Sequence, residues 1–138
     1  MPPDNAYQPP APGPVAALLN DSAFQRALLA EQLQAMGLVL ASAEQMDGLW
    51  HILETKAPAV VFLELLMFEG NGFMHGRRIL DNFNVPCILL SSTGRETDAR
   101  WADKLGISQT LQRPFTTLDL QNCLSRLGLA RQAVSGAG

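Results

Sequence analysis

Ala59-Val60-Val61-Phe62-Leu63-Glu64 is an unbroken apolar run that stops at an acid. A continuous run, as opposed to an alternating one, suits a strand covered on both faces, as in a parallel sheet wrapped by helices. In sheets of that kind, ligands and reacting groups lie just beyond the carboxyl ends of the strands. Glu64 occupies that position, so it is the first candidate for a functional residue.

Working outward, similar short apolar runs recur at Val15 to Leu19, Leu38 to Ala41, Cys87 to Leu90 and, more weakly, Ile107 to Leu111. The central run extends over Val60 to Leu65. Longer amphipathic segments separate them and carry helix-start signatures. Ser22-x-x-Gln25, Ser42-x-x-Gln45, Thr93-x-x-Glu96 and Thr116-x-x-Asp119 each place a capping oxygen three residues before a partner for the reciprocal bond. The Asp119 pair is the weakest of these, because its side chain is short. Asn71-Gly72 supplies a turn before a helix over Phe73 to Asn82. Leu120, Leu124 and Leu127 give the last helix a core stripe. Five strand-then-helix units predict an α/β fold, a doubly wound five-stranded parallel sheet of flavodoxin-like (βα)5 topology. The residues beyond its strand ends are then Asn20-Asp21, Glu64, Ser91-Ser92 and Arg113.

Bulk properties fit this reading. A chain of 138 residues that is 47% hydrophobic and 17% charged suits one domain with its own core. Residues 1–14 hold six of the nine prolines, so residues 1–13 are expected to be a disordered or polyproline-like arm. The folded domain is expected over 14–128 and a tail or linker over 129–138. A net charge of −3 creates no field to draw nucleic acid or an anionic membrane. No secretory signal and no membrane-length apolar segment is visible, which predicts a soluble, cytoplasmic protein. Cys87 and Cys123 lack CxxC spacing and read as buried packing residues. His51 and His75 fall on different predicted helices without acids or cysteines at ligand spacing, so neither reads as a metal ligand.

The segments Leu18-Leu19-Asn20-Asp21, Phe62-Leu63-Glu64, Leu89-Leu90-Ser91 and Leu111-Gln112-Arg113-Pro114-Phe115, with Gly70-Asn71-Gly72 and Gly106, resemble two-component response-regulator receiver domains. The resemblance covers roughly Pro14 to Leu127. It implies a signalling module with a pocket built from Asn20, Asp21, Glu64, Ser91 and Arg113, and with Thr110 at the family's switch position. In that family two acids after the first strand help hold Mg²⁺, an Asp after the third accepts phosphoryl, and a Lys precedes the proline after the fifth.

Here the pocket departs from the pattern. Glu64 extends about 1.5 Å further than an Asp, and about 1 Å of misplacement costs on the order of a hundredfold in an in-line transfer. Asn20 removes one negative charge from a site for a hard cation, so no cofactor is expected, and Mg²⁺ would bind weakly, through Asp21 and Glu64, if at all. Arg113 replaces a movable point charge with a planar fork that grips carboxylates bidentately. Glu64 and Arg113 are therefore expected to pair, with Ser91 donating to a remaining carboxylate oxygen.

Three functional readings remain open. The first is a non-enzymatic pseudo-receiver acting through protein contacts, with a partner or its own output domain. The second is a genuine phosphoacceptor with an unusual pocket. The third resembles the receivers of antitermination regulators, though no RNA-binding segment follows in this sequence. A nucleotide-binding enzyme is disfavoured, because Asn20-Asp21-Ser22-Ala23-Phe24 lacks the glycine-rich turn that brings phosphate onto a helix. The family's use of its fourth helix, fifth strand and fifth helix for dimerisation makes Trp101 and Leu105 candidate interface residues.

Overall fold

The computed structural model describes residues 13–129; residues 1–12 of the Pro-rich arm and all but the first residue of the C-terminal tail lie outside the described residues. The elements alternate as β1 (Val15–Leu19), α1 (Ala23–Gln34), β2 (Val39–Ala43), α2 (Met46–Lys56), β3 (Val60–Glu64), α3 (Gly72–Asn82), β4 (Cys87–Ser91), α4 (Glu96–Lys104), β5 (Gln109–Gln112) and α5 (Thr117–Arg126). All strands pair in parallel in the order β2-β1-β3-β4-β5. This is the doubly wound sheet that the apolar runs predict.

Each strand is buried to the degree its sequence dictates. The residues of β3 and β4 are all buried, which is why their runs are uninterrupted. Their side chains alternate between two cores. Val61, Leu63, Cys87 and Leu89 pack with Leu49 and Leu53 of α2, Ile79 of α3 and Ala102 of α4. Phe62, Ile88 and Leu90 pack on the other face with Leu29 and Leu33 of α1 and Leu120 and Leu124 of α5. Removing a Leu, Ile or Phe side chain of this kind from water contributes about 1.5–3 kcal/mol. Burial pushes the thiols up, Cys87 to about 12 and Cys123 to about 11, as apolar packing residues should be. On the α2–α3 side, Trp50 meets Phe83 edge-on at 5.1 Å between centroids, with the Arg78 guanidinium 5.3 Å above its ring.

β5 runs Gln109–Gln112 and not Ile107 to Leu111, and three further local expectations need correction. β2 runs Val39–Ala43 and not Leu38 to Ala41; as an edge strand with exposed positions, it mixes in Ala and Ser, so its apolar run ends before the strand does. Ser42 consequently lies inside β2, and α2 starts after Gln45 with no side-chain cap. Likewise α4 begins after Arg95 without a side-chain cap, because the Thr93 hydroxyl is engaged with Asp98 instead. The other caps form. Ser22 Oγ accepts from Gln25 N at 3.2 Å, and Asn71 Oδ1 accepts from Met74 N at 2.9 Å. Thr116 and Asp119 make both bonds of a capping box, at 3.0 and 2.9 Å, although theirs was the weakest signature.

One glycine positions the site. An added Cβ on Gly72 would sit 2.4 Å from Leu89 Cδ1 and 3.0 Å from Glu64 O. Only glycine lets the start of α3 approach the end of β3 this closely.

Candidate functional site

The strand order places Glu64 centrally at the carboxyl edge of the sheet. Asn20 follows β1 on one side, Ser91 ends β4 on the other, and Arg113 follows β5 one strand further out. Glu64, Asn20 and Ser91 are all buried. A buried carboxylate is costly unless it is paired and hydrogen-bonded, and here both of its oxygens are engaged. Arg113 Nη1 donates to Glu64 Oε2 at 2.8 Å, and Arg113 Nη2 lies 2.7 Å from Oε1. This is the two-pronged contact that planar guanidinium and carboxylate geometry favour. Arg113 Nη1 also reaches Ser92 Oγ at 3.3 Å.

The third contact to the carboxylate comes from an unexpected residue. Asn20 Nδ2 donates to Glu64 Oε1 at 3.0 Å. The orientation of its amide follows from its other end, where Asn20 Oδ1 accepts from Ser22 N at 2.8 Å. The Asn20 backbone is anchored in turn, its carbonyl accepting from Arg26 Nη1 at 2.9 Å and its N–H donating to Ala43 O at 3.0 Å. An aspartate in this place would set a second carboxylate about 3 Å from the first, a repulsive arrangement. Asn20 and Glu64 are therefore matched to each other as much as Glu64 and Arg113 are.

Ser91 does not donate to Glu64, contrary to expectation. Its Oγ lies 3.1 Å from Thr93 Oγ1 and accepts from Thr93 N at 3.2 Å, while the Thr93 hydroxyl donates to the buried Asp98. The β4–α4 connection is thus held by its own Ser-Thr-Asp cluster. Nothing in the linear sequence marks Asp98 for this role, since it reads as one more acid in the first turn of a helix.

Asp21 also points elsewhere. Its Oδ2 accepts from Phe68 N at 3.1 Å, tying the β1–α1 and β3–α3 connections together. These groups do not fit the Mg²⁺ that such domains carry. One acid is neutralised by a guanidinium, the Asn20 amide turns a donor toward it, and Asp21 is committed to a backbone N–H. Among the described residues no cluster of three or more His, Cys, Asp or Glu is arranged to hold a metal ion. His75 is buried with Nε2 3.0 Å from Glu69 O, and His51 is exposed.

Thr110 is half-buried on β5. Trp101 is 56% exposed with Lys104 Nζ 5.7 Å from its ring centroid. Together with Leu105 it lines a groove that also takes in Phe73, Met74 and Arg77 of α3. The structure thus sets both residues between α3 and α4, whereas the expected face was built from α4, β5 and α5.

A parallel (βα)5 sheet with an acid at the end of its central strand, a hydroxyl after the fourth and a cation before a proline after the fifth defines the receiver class of signalling domain. The sequence profile of the response regulator receiver domain matches residues 16–125. The chain belongs to that family, whose members are the receiver modules of two-component signalling. Among curated relatives, the response regulator protein GraR of Staphylococcus epidermidis is 27% identical over 89 residues, 64% of this chain and 40% of GraR. The chain thus spans about 40% of the length of the curated relatives it matches. Among solved structures, a two-component response regulator from Clostridium difficile superposes with a TM-score of 0.78 at 15% identity, covering 88% of this chain and 99% of that one. The BeF3-activated N-terminal receiver domain of Klebsiella pneumoniae RstA gives 0.74 at 18% identity, covering 84% and 97%. No helix among the described residues is long and apolar enough to cross a membrane.

Proposed function

We propose that this chain is a pseudo-receiver, a signal-transduction module that works through protein–protein contacts without phosphoryl transfer to its pocket. The observation that carries this reading is the state of the Glu64 carboxylate, with both oxygens taken up by Arg113 and Asn20. Attack on a phosphoryl donor needs a free carboxylate oxygen in line with the leaving group and counter-charge on the phosphoryl oxygens. Here the acid is a methylene too long, and the cation that would meet the phosphoryl group holds the acid itself. The pocket is closed by its own side chains.

Residues 14–128 form the functional unit in this reading. Its output is contact with a partner protein, an attached output domain or a second copy. Trp101 supports this, since a large aromatic more than half exposed beside an apolar groove is the kind of anchor interfaces use. The reading places the module in the cytoplasm, without nucleic acid or membrane contacts of its own.

Incubation with acetyl phosphate and Mg²⁺, followed by intact mass measurement, tests the proposal. The expected mass is unchanged. A stoichiometric gain of one phosphoryl group that disappears in Glu64→Ala would establish the rival, a working phosphoacceptor.

A further inference from the structure

The sequence that precedes β1 and the groove between α3 and α4 have complementary chemistry. Residues 1–12 carry Pro2, Pro3, Pro9, Pro10 and Pro12 and one charged side chain, Asp4. Repeated proline favours polyproline II, an extended helix of about 3.1 Å per residue whose carbonyls make no internal hydrogen bonds. Aromatic-lined grooves recognise such segments, because proline sets φ in advance and little ordering entropy is lost on docking.

The groove has that lining. Trp101 of α4 and Met74 of α3 are exposed along it, and Phe73 and Leu105 are half-buried in its walls. Trp101 brings an indole N–H, a donor for a free carbonyl. The two helices are tied together here, since Arg77 of α3 pairs with Asp81 and its Nη1 donates to Leu105 O at 3.0 Å. The groove therefore exists before anything fills it. Lys104, with Nζ 5.7 Å from the Trp101 ring centroid, places a cation at its rim. This apolar strip is one extended chain wide, whereas a stable interface between two folded domains buries about 1,200–2,000 Å².

Position selects the occupant. Helices in a parallel sheet run back against the strands, so α3 and α4 end at the edge where the strands begin. There Ser108, after α4, donates to Cys87 O at the start of β4 at 2.9 Å, and Pro14 O accepts from Val39 N at 2.9 Å where the arm joins β1. The cavity lined by Asn20, Arg113 and Phe115 lies at the opposite edge. From β1 to the outer side of α3 and α4 is two strand spacings and one helix diameter, on the order of 20–25 Å. Twelve residues of polyproline II span about 37 Å, so about seven make the crossing and Pro2-Pro3-Asp4 reach the groove.

We propose that the α3–α4 groove is the docking site of this chain's own N-terminal arm, with Pro2-Pro3 laid across Trp101 and Asp4 beside Lys104. Under the pseudo-receiver reading, a partner that uses Trp101 must displace the arm; the docking itself does not rest on that reading.

The test attaches a nitroxide spin label to Asn5→Cys in the ¹⁵N-labelled full chain and reads paramagnetic broadening of backbone and indole N–H signals. Burial pushes the Cys87 and Cys123 thiols up to about 12 and about 11, so the added thiol reacts selectively near neutral pH. Broadening should concentrate on Arg77, Trp101 and Leu105. Pro3→Gly, outside the folded domain, should cut it at Trp101 roughly twofold or more, because glycine restores the freedom that proline removes. Trp101→Ala should abolish the concentration at Arg77 and Leu105 while the rest of the spectrum is kept. Even broadening over the whole surface, or a centre on the exposed Phe24 and Leu118, would overturn the proposal. So would broadening of a ¹⁵N chain by a spin-labelled second copy, which would put another molecule's arm in the groove. The phosphoryl mass experiment does not involve the arm, so either result leaves the other standing.

Discussion

The bodies of β1, β3 and β4 and the residues at their carboxyl ends lie within a few ångströms of one another but obey different rules. In the bodies, Ala17, Leu19, Phe62, Leu63, Ile88 and Leu89 are fully buried and are held by many weak, undirected contacts. At the ends, Glu64 is held by two partners in three directed contacts of 2.7 to 3.0 Å. The apolar layer tolerates any side chain of suitable size, so it preserves the receiver fold at low identity. The polar layer depends on each atom, so single substitutions change what the domain does. A fold can therefore persist while the residues at its strand ends change.

The largest expected effect lies in the apolar layer. Phe62→Ala should cost about 3–5 kcal/mol in urea unfolding. A loss below about 1 kcal/mol would show that the sheet can collapse around the gap, and the contrast between the layers would weaken.

Next comes the polar layer. Asn20→Asp exchanges the amide donor for a second carboxylate facing Glu64, and in chelator-containing buffer near neutral pH it should cost about 1–3 kcal/mol. An unchanged unfolding midpoint would mean that the Asn20 amide contributes nothing to holding the acid. Added Mg²⁺ should recover part of the loss, since the variant restores an acidic pair beside Glu64.

The smallest effect on stability belongs to the exposed groove. Trp101→Ala should leave stability within about 0.5 kcal/mol while weakening self-association or partner binding by about 2 kcal/mol, read by sedimentation or titration. A large stability loss would move Trp101 into the structural core of the account and remove it from the interface.

The two layers also differ in how far they can be read from sequence. β1, β3 and β4 are legible because double-sided burial leaves uninterrupted apolar runs. β2 is displaced in the reading because an edge strand mixes Ser42 with Ala41 and Ala43. The pairing of Glu64 with Arg113 is legible from two substitutions that suit each other in reach. The contact from Asn20 is not, because an amide can turn either end toward a carboxylate, and its orientation is set by the Ser22 N–H two residues on. The hydroxyl of Ser91 presents the same difficulty, since its rotation toward Thr93 depends on the buried Asp98 seven positions downstream.

A double-mutant cycle on Glu64→Gln and Arg113→Met, read by denaturant unfolding, tests the closed pocket most directly. Each single change leaves a polar or charged group without its partner and should cost about 1–3 kcal/mol, much of it from that unpaired group. The double variant should cost less than the two single losses added together, giving a coupling of about 1 kcal/mol or more. Strictly additive losses would mean that the two side chains do not hold each other, and the closed-pocket account would fail.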